Sequence, residues 1–406
     1  MLYGIFIIVL GYFIAGAYID KIIPARSPKS LESNVFLKRL YFYHFFLSAV
    51  YYTYALFESS DSKFYYRKVI EDYRGPGWFD FYGVSTRFIE FTGYPFIKYL
   101  GFSYEAIMAL FSIFGFFGFI YFYLFFQEKV VFKERFFGYN LLTIFFLLPN
   151  LHFWSGSFGK GSFIFLGISM FFYGLNNVQK RWIIIIIGGL ITYHIRPHIM
   201  FVILASTAIG FAFSTRGVGW GTRFAVIVIS VGAFFFVYQD VLALVGVEEG
   251  EELQEGLDLA HRAKELSKAT SGVDIRDYSL PEKVFTFLYR PLFFDAPGFL
   301  GIVVSFENVF LLLITLYFIV KGGVLYLLRG DFLIKTAFFS FITVSIALAQ
   351  ISGNLGIAIR QKSQVMMLFL FIILKFLSDK KMVQYKKWVS KKKRSQARAE
   401  IYHVTP

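Results

Sequence analysis

The stretch from Tyr104 to Phe126 reads YEAIMALFSIFGFFGFIYFYLFF, and it decides the class of fold. It contains one acid and no base, and its length matches the roughly 17 to 25 apolar residues of a membrane-crossing helix. The whole chain of 406 residues is 57% hydrophobic and 17% charged. An average soluble domain has about 25% charged residues, so the composition as a whole also favours a lipid environment.

Similar apolar stretches recur along the chain and predict an all-α, polytopic integral membrane protein with about eleven transmembrane helices. The first span has an alternative as a signal peptide, because Ala15-Gly16-Ala17 has the form of a cleavage site. No basic segment precedes it, which favours a retained helix. The predicted spans lie near Leu2–Ala17, Arg39–Phe57, Tyr104–Phe126, Phe136–Leu151, Ser162–Leu175, Trp182–Tyr193, Pro197–Phe213, Phe224–Val245, Phe299–Val320, Phe332–Gln350 and Val365–Leu377.

The distribution of Lys and Arg predicts the orientation, since short cytoplasmic loops are rich in these residues. With a cytoplasmic C-terminus every inner segment is basic, and an odd number of helices places the N-terminus outside. We divide the chain into a membrane domain, residues 1–378, and a basic cytoplasmic tail, residues 379–406. The tail has a net charge of +7, half of the total of +14. We expect it to be disordered or bound to anionic lipid, and not to bind nucleic acid.

Two long loops, residues 58–103 and 246–298, then fall on the outer face. The first contains Arg74 and Asp80 in a sequence rich in Tyr, Gly and Pro, and we predict that both residues contact substrate. In the second, apolar residues recur every three or four positions between Glu248 and Lys268, which predicts an amphipathic helix over the outer face. That helix is either a solvated element packed on neighbouring loops or a cover for a substrate groove.

The next outer turn runs from Pro149 to Lys160 and contains Trp154. Pro149 and two glycines interrupt helical structure there. The free backbone N–H groups at the start of the following helix, with Lys160 beside them, predict an anion site. The alternative is a plain helical hairpin with an interfacial Trp and a Lys that extends to the membrane surface.

Arginine residues recur at two further outer turns. His194-Ile195-Arg196-Pro197-His198 lies between two strongly apolar runs, and an Arg this close to hydrocarbon costs several kcal/mol unless it faces a wet cavity or an anion. Arg290 repeats the Arg-Pro step after the second long loop. Each His has an ordinary alternative, which is a hydrogen bond to a backbone carbonyl.

Polar residues also interrupt the last helices. Glu307 lies within an apolar helix, where a buried carboxylate needs a cationic partner, and it is either part of a structural ion pair or a catalytic base. Asn354 lies in a glycine-containing outer turn, and Arg360 and Lys362 follow at the outer start of the last helix. Positive charge at an outer helix end runs against the inside rule, so these cations have a local role.

Arg196, Arg290, Arg360 and Lys160 reach the same membrane face from four chain regions. Such a cluster suits a diphosphate, because Arg binds phosphate oxygens bidentately and stays charged. The chain has no Cys, and we expect neither a metal site nor a cofactor. The predicted catalytic residues are Arg196, Arg290, Arg360, His194 and His198, and the predicted substrate-binding residues are Lys160, Trp154, Arg74, Asp80, Asn354, Lys362 and Glu307.

In these residues the chain resembles the Wzy-type (EpsG-like) oligosaccharide repeat-unit and O-antigen polymerases of bacteria. The similar stretches are Pro149–Lys160, His194–Pro197, Tyr289-Arg290-Pro291 and Asn354–Lys362, within residues 149–377. The resemblance implies a metal-independent glycosyltransferase that joins undecaprenyl-diphosphate-linked oligosaccharides at the outer face of the inner membrane. It also implies a chain-length regulator protein as a partner. Candidates for its general base are His194, His198, Asp80 and Glu307.

Two alternatives use other chemistry. A GT-C glycosyltransferase takes polyprenyl-phosphate sugars and has an acidic residue or pair in its first outer loop, a place that Glu71-Asp72 would fill. A lipid-linked glycan flippase or other transporter needs polar groups through the bilayer centre and usually internal symmetry. Most charges here lie at one face, which disfavours a transporter.

Overall fold

The computed structural model describes residues 2–214, 219–245, 272–275, 277–296 and 298–404. These residues form α-helices with one short hairpin, in which β1 (Arg135–Phe136) pairs antiparallel with β2 (Tyr139–Asn140). The helices before residue 214 are α1 (Leu2–Ile22), α2 (Pro28–Phe57), α3 (Asp61–Ile70), α4 (Thr86–Tyr94), α5 (Tyr104–Lys129), α6 (Leu141–Phe146), α7 (Pro149–Ser155), α8 (Lys160–Leu175), α9 (Val178–Ile195) and α10 (Pro197–Ala212). Those after it are α11 (Trp220–Val245), α12 (Leu280–Tyr289), α13 (Gly298–Val320), α14 (Gly323–Leu328), α15 (Phe332–Ile351) and α16 (Leu355–Val404).

Within the described residues, five helical segments are long and apolar enough to cross a membrane, and several shorter apolar helices accompany them. The structure confirms the predicted class, an all-α multi-pass membrane protein. The number of eleven spans and their orientation stay predictions. The five segments are Tyr3–Ile22, Tyr104–Lys129, Gly298–Val320, Phe332–Gln350 and Leu355–Arg394.

Two stretches differ from the sequence prediction. The span predicted at Phe136–Leu151 is divided into the β-hairpin, α6 and α7, because the chain leaves helical geometry at Leu148 and Pro149 then opens α7 with its fixed φ angle. The basic tail, which we expected to be disordered or bound to anionic lipid, is helical and continues α16 to Val404, so it differs from the disordered alternative, whereas lipid binding stays a prediction. The amphipathic helix predicted within 248–268 lies outside the described residues.

The core is formed around α5, whose aromatic side chains are buried on several sides. Helices α8 and α9 approach each other very closely where Gly167 faces Gly188, since a Cβ atom on Gly188 would lie 2.7 Å from the Gly167 carbonyl oxygen. Small residues at such crossings let helix backbones approach and pack in a lipid environment. This contact fixes the position of α9, which ends at the Arg196 turn.

The helix directions bring the predicted outer segments to one end of the bundle. Helices α5, α8, α10 and α16 begin there, while α2 and α9 end there. Side-chain contacts at the opposite end join basic residues to acids, as in the Arg181–Glu128 pair at 2.6 Å and the Lys133–Glu32 pair at 2.5 Å. The basic segments and the outer turns therefore lie at opposite ends of the molecule.

Candidate functional site

Lys160, Arg196 and Arg360 line one small pocket, which we call the cationic pocket. They arrive from the start of α8, from the turn between α9 and α10, and from the first turns of α16. The space between them is about 30 Å³, room for about two water molecules. Trp154, Tyr65 and Asp61 are also among its lining residues. Four predicted site residues from three chain regions thus share this site, namely Trp154 and the three cations.

Arg196 is held between two helices because Pro197 occupies the first position of α10. Its Nε is buried and has no hydrogen-bond partner among the residues that the structure describes. Burial, together with the charge of Arg360, lowers the pKa of Arg196 to about 10. The guanidinium is therefore still charged at neutral pH, and a buried cationic donor without a partner is what an incoming anion would satisfy.

Lys160 begins α8, and its Nζ donates a hydrogen bond to Ser85 Oγ at 2.9 Å. The first backbone N–H groups of α8 lack helical partners and add a partial positive charge at the pocket. A Cβ atom on the next residue, Gly161, would lie 2.1 Å from the Trp154 carbonyl oxygen. Only glycine allows α7 and α8 to meet this closely, so Gly161 sets the place of Lys160 beside Trp154.

Arg360 forms an ion pair with Asp61, with 2.5 Å between Arg360 Nη1 and Asp61 Oδ2. The pair joins α16 to α3 in the first long loop, residues 58–103. Tyr65, one turn further along α3, is 5% exposed. Burial and the charge of Asp61 raise the pKa of Tyr65 to about 12, so its hydroxyl stays protonated and can donate to an anion in the pocket.

The two predicted histidines lie near the pocket but outside its lining. The ring of His194 bonds through Nε2 to Tyr82 Oη at 3.1 Å and through Nδ1 to the Leu190 carbonyl at 2.8 Å. Its backbone oxygen accepts from Ser85 N at 2.6 Å, so this turn holds the residue that receives the hydrogen bond of Lys160. His198 lies in the first turn of α10, close enough for the charges of Arg196 and Lys160 to act on it.

Arg74 and Asp80 make contacts within the first long loop. Arg74 pairs with Glu90, which is fully buried, and Asp80 Oδ2 accepts a hydrogen bond from Gly77 N at 2.8 Å. These contacts fold the loop around α4, which packs on α3 and α9. Both residues therefore stabilise the fold of this loop, and neither lines the cationic pocket.

Arg290 also lies outside the pocket. Its Nε pairs with Asp295, and its Nη1 is 3.4 Å from Tyr278 Oη. Asp295 Oδ1 in turn accepts from the backbone N–H of Leu292 at 2.5 Å. The second Arg-Pro step therefore closes a local turn between α12 and α13.

Glu307 and Lys362 take part in a buried polar network between α7, α13 and α16. Glu307 Oε2 accepts from the backbone N–H of Asn150 at 3.0 Å. Lys362 Nζ donates to Asn308 Oδ1 at 2.5 Å and to the Leu288 carbonyl at 3.0 Å. The partner of Glu307 is thus first of all a backbone N–H at the start of α7, with Lys362 near enough for their charges to interact.

Asn354 has a capping role, since its Oδ1 accepts from Ile357 N at 3.1 Å at the beginning of α16. The same residue forms an isolated bridge with Gly272, in the second long loop. This pairing attaches a described part of that loop to the helix that carries Arg360.

An apolar groove of about 360 Å³, which we call the lateral groove, lies beside the cationic pocket between α1, α2 and α5. Gly156 lines the groove, and the next residue, Ser157, lines the cationic pocket. The backbone N–H of Phe158 donates to Met108 Sδ at 3.2 Å across this boundary. The apolar lining of the lateral groove includes Gly4, Ile5, Ile8, Phe45, Ala49, Met108 and Ala109.

A third cavity, of about 480 Å³, lies at the opposite end of the bundle between α2 and α5. It contains both signs of charge, and its Lys133 is already paired with Glu32 at 2.5 Å. The cationic pocket is smaller but has three cations against one acid. We therefore take the cationic pocket as the candidate site.

Asp61 and Ser85 were missed by the sequence prediction. Asp61 follows the capping residue Ser60, and the only signal at that position was the start of a helix. Ser85 lies in a turn with a φ angle of +62°, and no motif marks it. Their roles depend on contacts with residues about 300 and 75 positions away, respectively.

Neither a protein-family model, nor a curated protein, nor a solved structure matches this chain. The described residues contain no group of three His, Asp or Glu side chains arranged to hold a metal ion. Function is therefore inferred from the chemistry of the cationic pocket and its surroundings.

Proposed function

We propose that the protein is a bacterial surface polysaccharide polymerase that joins polyprenyl-diphosphate-linked oligosaccharides at the outer face of the inner membrane. The observation that carries the proposal is the convergence of Lys160, Arg196 and Arg360 on one pocket where Arg196 Nε has no partner among the described residues. Three cations at one point suit a ligand with more than one negative charge, and a diphosphate has that charge.

The chemistry follows from the cations. A hydroxyl oxygen of the acceptor glycan attacks the anomeric carbon of the donor, and the bond between that carbon and the diphosphate oxygen breaks. The electron pair leaves with the diphosphate, where negative charge accumulates. Arg196, Arg360 and Lys160 would stabilise this charge as it develops, and in many enzymes such electrostatic stabilisation accounts for most of the rate enhancement.

The lateral groove supports a lipid-linked donor. An apolar groove next to a cationic pocket suits an amphiphile, with the hydrocarbon chain between α1, α2 and α5 and the phosphates at Lys160. Burial of apolar area contributes roughly 25 cal/mol per Å², so even part of a polyprenyl chain adds appreciably to binding.

The proposed topology has eleven membrane crossings, the N-terminus outside and the C-terminus in the cytoplasm. The positions of Lys and Arg support it, since the basic segments lie at the end of the bundle opposite the cationic pocket. The pocket then faces the periplasm, where lipid-linked repeat units are joined in the proposed reaction.

The deciding experiment is deletion of the gene followed by analysis of lipid-linked and polymeric surface glycan. We expect single repeat units to accumulate on the outer leaflet and long polymer to disappear. Precursor that stays on the cytoplasmic leaflet would overturn the proposal and indicate a flippase.

A GT-C glycosyltransferase is the second enzyme candidate. Its expected acids are Glu71 and Asp72, but Glu71 is exposed and Asp72 pairs with Lys98 at 2.7 Å. Neither lines the cationic pocket. Loss of activity in Asp72→Asn together with full activity in Arg196→Ala would favour this candidate over the polymerase.

A further inference from the structure

Asp61 is the one acid that lines the cationic pocket among the residues that the structure describes. We propose that Asp61 accepts the proton of the acceptor hydroxyl, and that it is released for this role when the donor's diphosphate replaces it on Arg360. The inference rests on the proposed function, and it concerns how the reaction is initiated within the same pocket.

The size of the pocket supports an exchange. Its space of about 30 Å³ holds about two waters, which is too little for a diphosphate while the Asp61 carboxylate occupies Arg360. The side chain of Asp61 is 52% exposed and belongs to the first residue of α3. It can therefore rotate into solvent without disturbing the helix, and this rotation frees both the space and the guanidinium hydrogen bonds.

Charge also favours the exchange. The pocket has three cations and one carboxylate, and a diphosphate supplies more negative charge than the single carboxylate that leaves. Arg360 can bind phosphate oxygens in the same planar, bidentate manner as a carboxylate. Asp61 thus acts as a resident anion that keeps Arg360 in place between reaction cycles.

Proton transfer follows from the release. While Asp61 is paired with Arg360, its Oδ2 accepts a hydrogen bond from the guanidinium. Once released, this oxygen is free to accept a hydrogen bond from the acceptor hydroxyl at the mouth of the pocket. The acceptor oxygen bonds to the anomeric carbon, its proton passes to Asp61, and the diphosphate leaves with the electron pair of the broken bond.

Three other acids at this end of the bundle are engaged elsewhere. Glu90 is fully buried against Arg74, Asp295 pairs with Arg290, and Glu307 accepts from the backbone of Asn150. None of these three acids lines the cationic pocket. Asp61 combines access to solvent with a place beside the cations.

The test compares Asp61→Asn with the matched control Glu71→Gln, an exposed acid of the same loop that does not line the pocket. Binding of inorganic diphosphate to the purified full-length protein is measured by calorimetry, and polymer is measured in the deletion strain that carries each variant. We expect Asp61→Asn to bind diphosphate at least as tightly as wild type and to lose about 100-fold or more of polymer formation, the usual range for a lost general base. Glu71→Gln should change neither.

Asp61→Glu keeps a carboxylate and should recover part of the polymer that Asp61→Asn loses. Normal polymer with Asp61→Asn would overturn the proton-acceptor role alone. Loss of diphosphate binding in Asp61→Asn at normal abundance would overturn the exchange. If instead deletion of the wild-type gene leaves the surface glycan unchanged, the polymerase proposal itself fails, so the two failures are distinguishable.

Discussion

The guanidinium of Arg360 lies over the indole ring of Trp154, with 5.9 Å between the guanidinium carbon and the ring centroid. A cation at this distance from an indole ring is attracted by about 0.5 to 1 kcal/mol at an exposed site. With Asp61 on one Nη atom and the ring beneath, the orientation of Arg360 is fixed from two directions. The site therefore depends on the planar shape of Arg360 as well as on its charge.

Replacement of the pocket arginines should weaken diphosphate binding in a graded way. Arg360→Lys keeps the positive charge but loses the planar guanidinium that binds two oxygens and lies over Trp154. We therefore expect roughly a tenfold loss of diphosphate affinity. Arg196→Ala and Arg360→Ala each remove a charged hydrogen bond worth about 1.5 to 3 kcal/mol, which corresponds to about 10- to 150-fold. Calorimetry with inorganic diphosphate measures the effect, and gel analysis of surface glycan should show no long polymer for either Ala variant.

The matched control for these variants is Arg181→Ala, since Arg181 pairs with Glu128 at the opposite end of the bundle. It should leave both diphosphate binding and polymer length unchanged. Protein abundance in the membrane is measured for all variants. Unchanged chain length in both Arg196→Ala and Arg360→Ala would remove the proposed diphosphate clamp.

Arg290 should behave as a structural residue. Its guanidinium pairs with Asp295 and both side chains are largely buried, at 17% and 15% exposed. Arg290→Ala should lower the free energy of unfolding by about 1 to 3 kcal/mol, and Asp295→Ala by a similar amount. If they act through one contact, the double variant should cost less than the sum of the two, as measured by thermal unfolding in detergent.

Diphosphate binding distinguishes this role from a catalytic one. Arg290→Ala should bind inorganic diphosphate with wild-type affinity at temperatures where it is folded. A loss as large as that of Arg196→Ala would return Arg290 to the active site.

The sequence was most informative where charge conflicted with hydropathy. Arg196 and Arg360 stood out because a cation at an outer helix end needs a reason, and both line the cationic pocket. Arg290 was selected because it repeats the Arg-Pro step of the Arg196 turn, and it satisfies its charge on an acid five residues away. The local sequence could not distinguish Arg196 from Arg290, because they differ in whether the folded chain supplies an acidic partner. Arg360 has such a partner in Asp61 and still lines the cationic pocket.

Other features required the fold itself. Asp61 pairs with Arg360, which lies 299 positions further along the chain, and no local sequence pattern predicts such a contact. Pro149 signalled the later break in the predicted Phe136–Leu151 span, but no sequence feature predicted the short hairpin at its start. Gly161 has an explanation only in three dimensions, where it lets α8 touch the Trp154 carbonyl.

Substitutions of Glu307 and Lys362 should distinguish a loss of stability from a loss of catalysis. Glu307→Gln keeps an oxygen that accepts from Asn150 N–H, so we expect near-normal abundance and polymer. Lys362→Met leaves the buried oxygens of Asn308 and Leu288 without a donor. At about 1 to 3 kcal/mol for each unsatisfied group, this variant should lose about 2 to 6 kcal/mol and accumulate poorly.

Abundance by immunoblot and thermal unfolding in detergent measure these effects. A Glu307→Gln protein that is abundant and stable but forms no polymer would show that Glu307 is a catalytic base. That outcome would also conflict with Asp61 as the proton acceptor.

Filling the lateral groove should affect long-chain ligands selectively. Ala49 lines the groove, whereas Phe46, on the same helix, is 63% exposed and does not line it. Ala49→Trp should weaken binding of a polyprenyl phosphate and leave inorganic diphosphate binding unchanged, because only the former has a hydrocarbon chain to displace. Phe46→Trp is the matched control and should affect neither, and equal binding of the long-chain ligand to both variants would exclude the groove as its site.

The proposed orientation can be tested directly because the chain has no Cys. Single cysteines at Ser59, just after α2, and at Ser390, in the basic part of α16, lie at opposite ends of the bundle. A membrane-impermeant maleimide added to intact spheroplasts should label Ser59→Cys and spare Ser390→Cys until the membrane is permeabilised. The opposite pattern would place the cationic pocket on the cytoplasmic side, where outer-leaflet repeat units cannot reach it, and the polymerase proposal would then be wrong whatever the pocket binds.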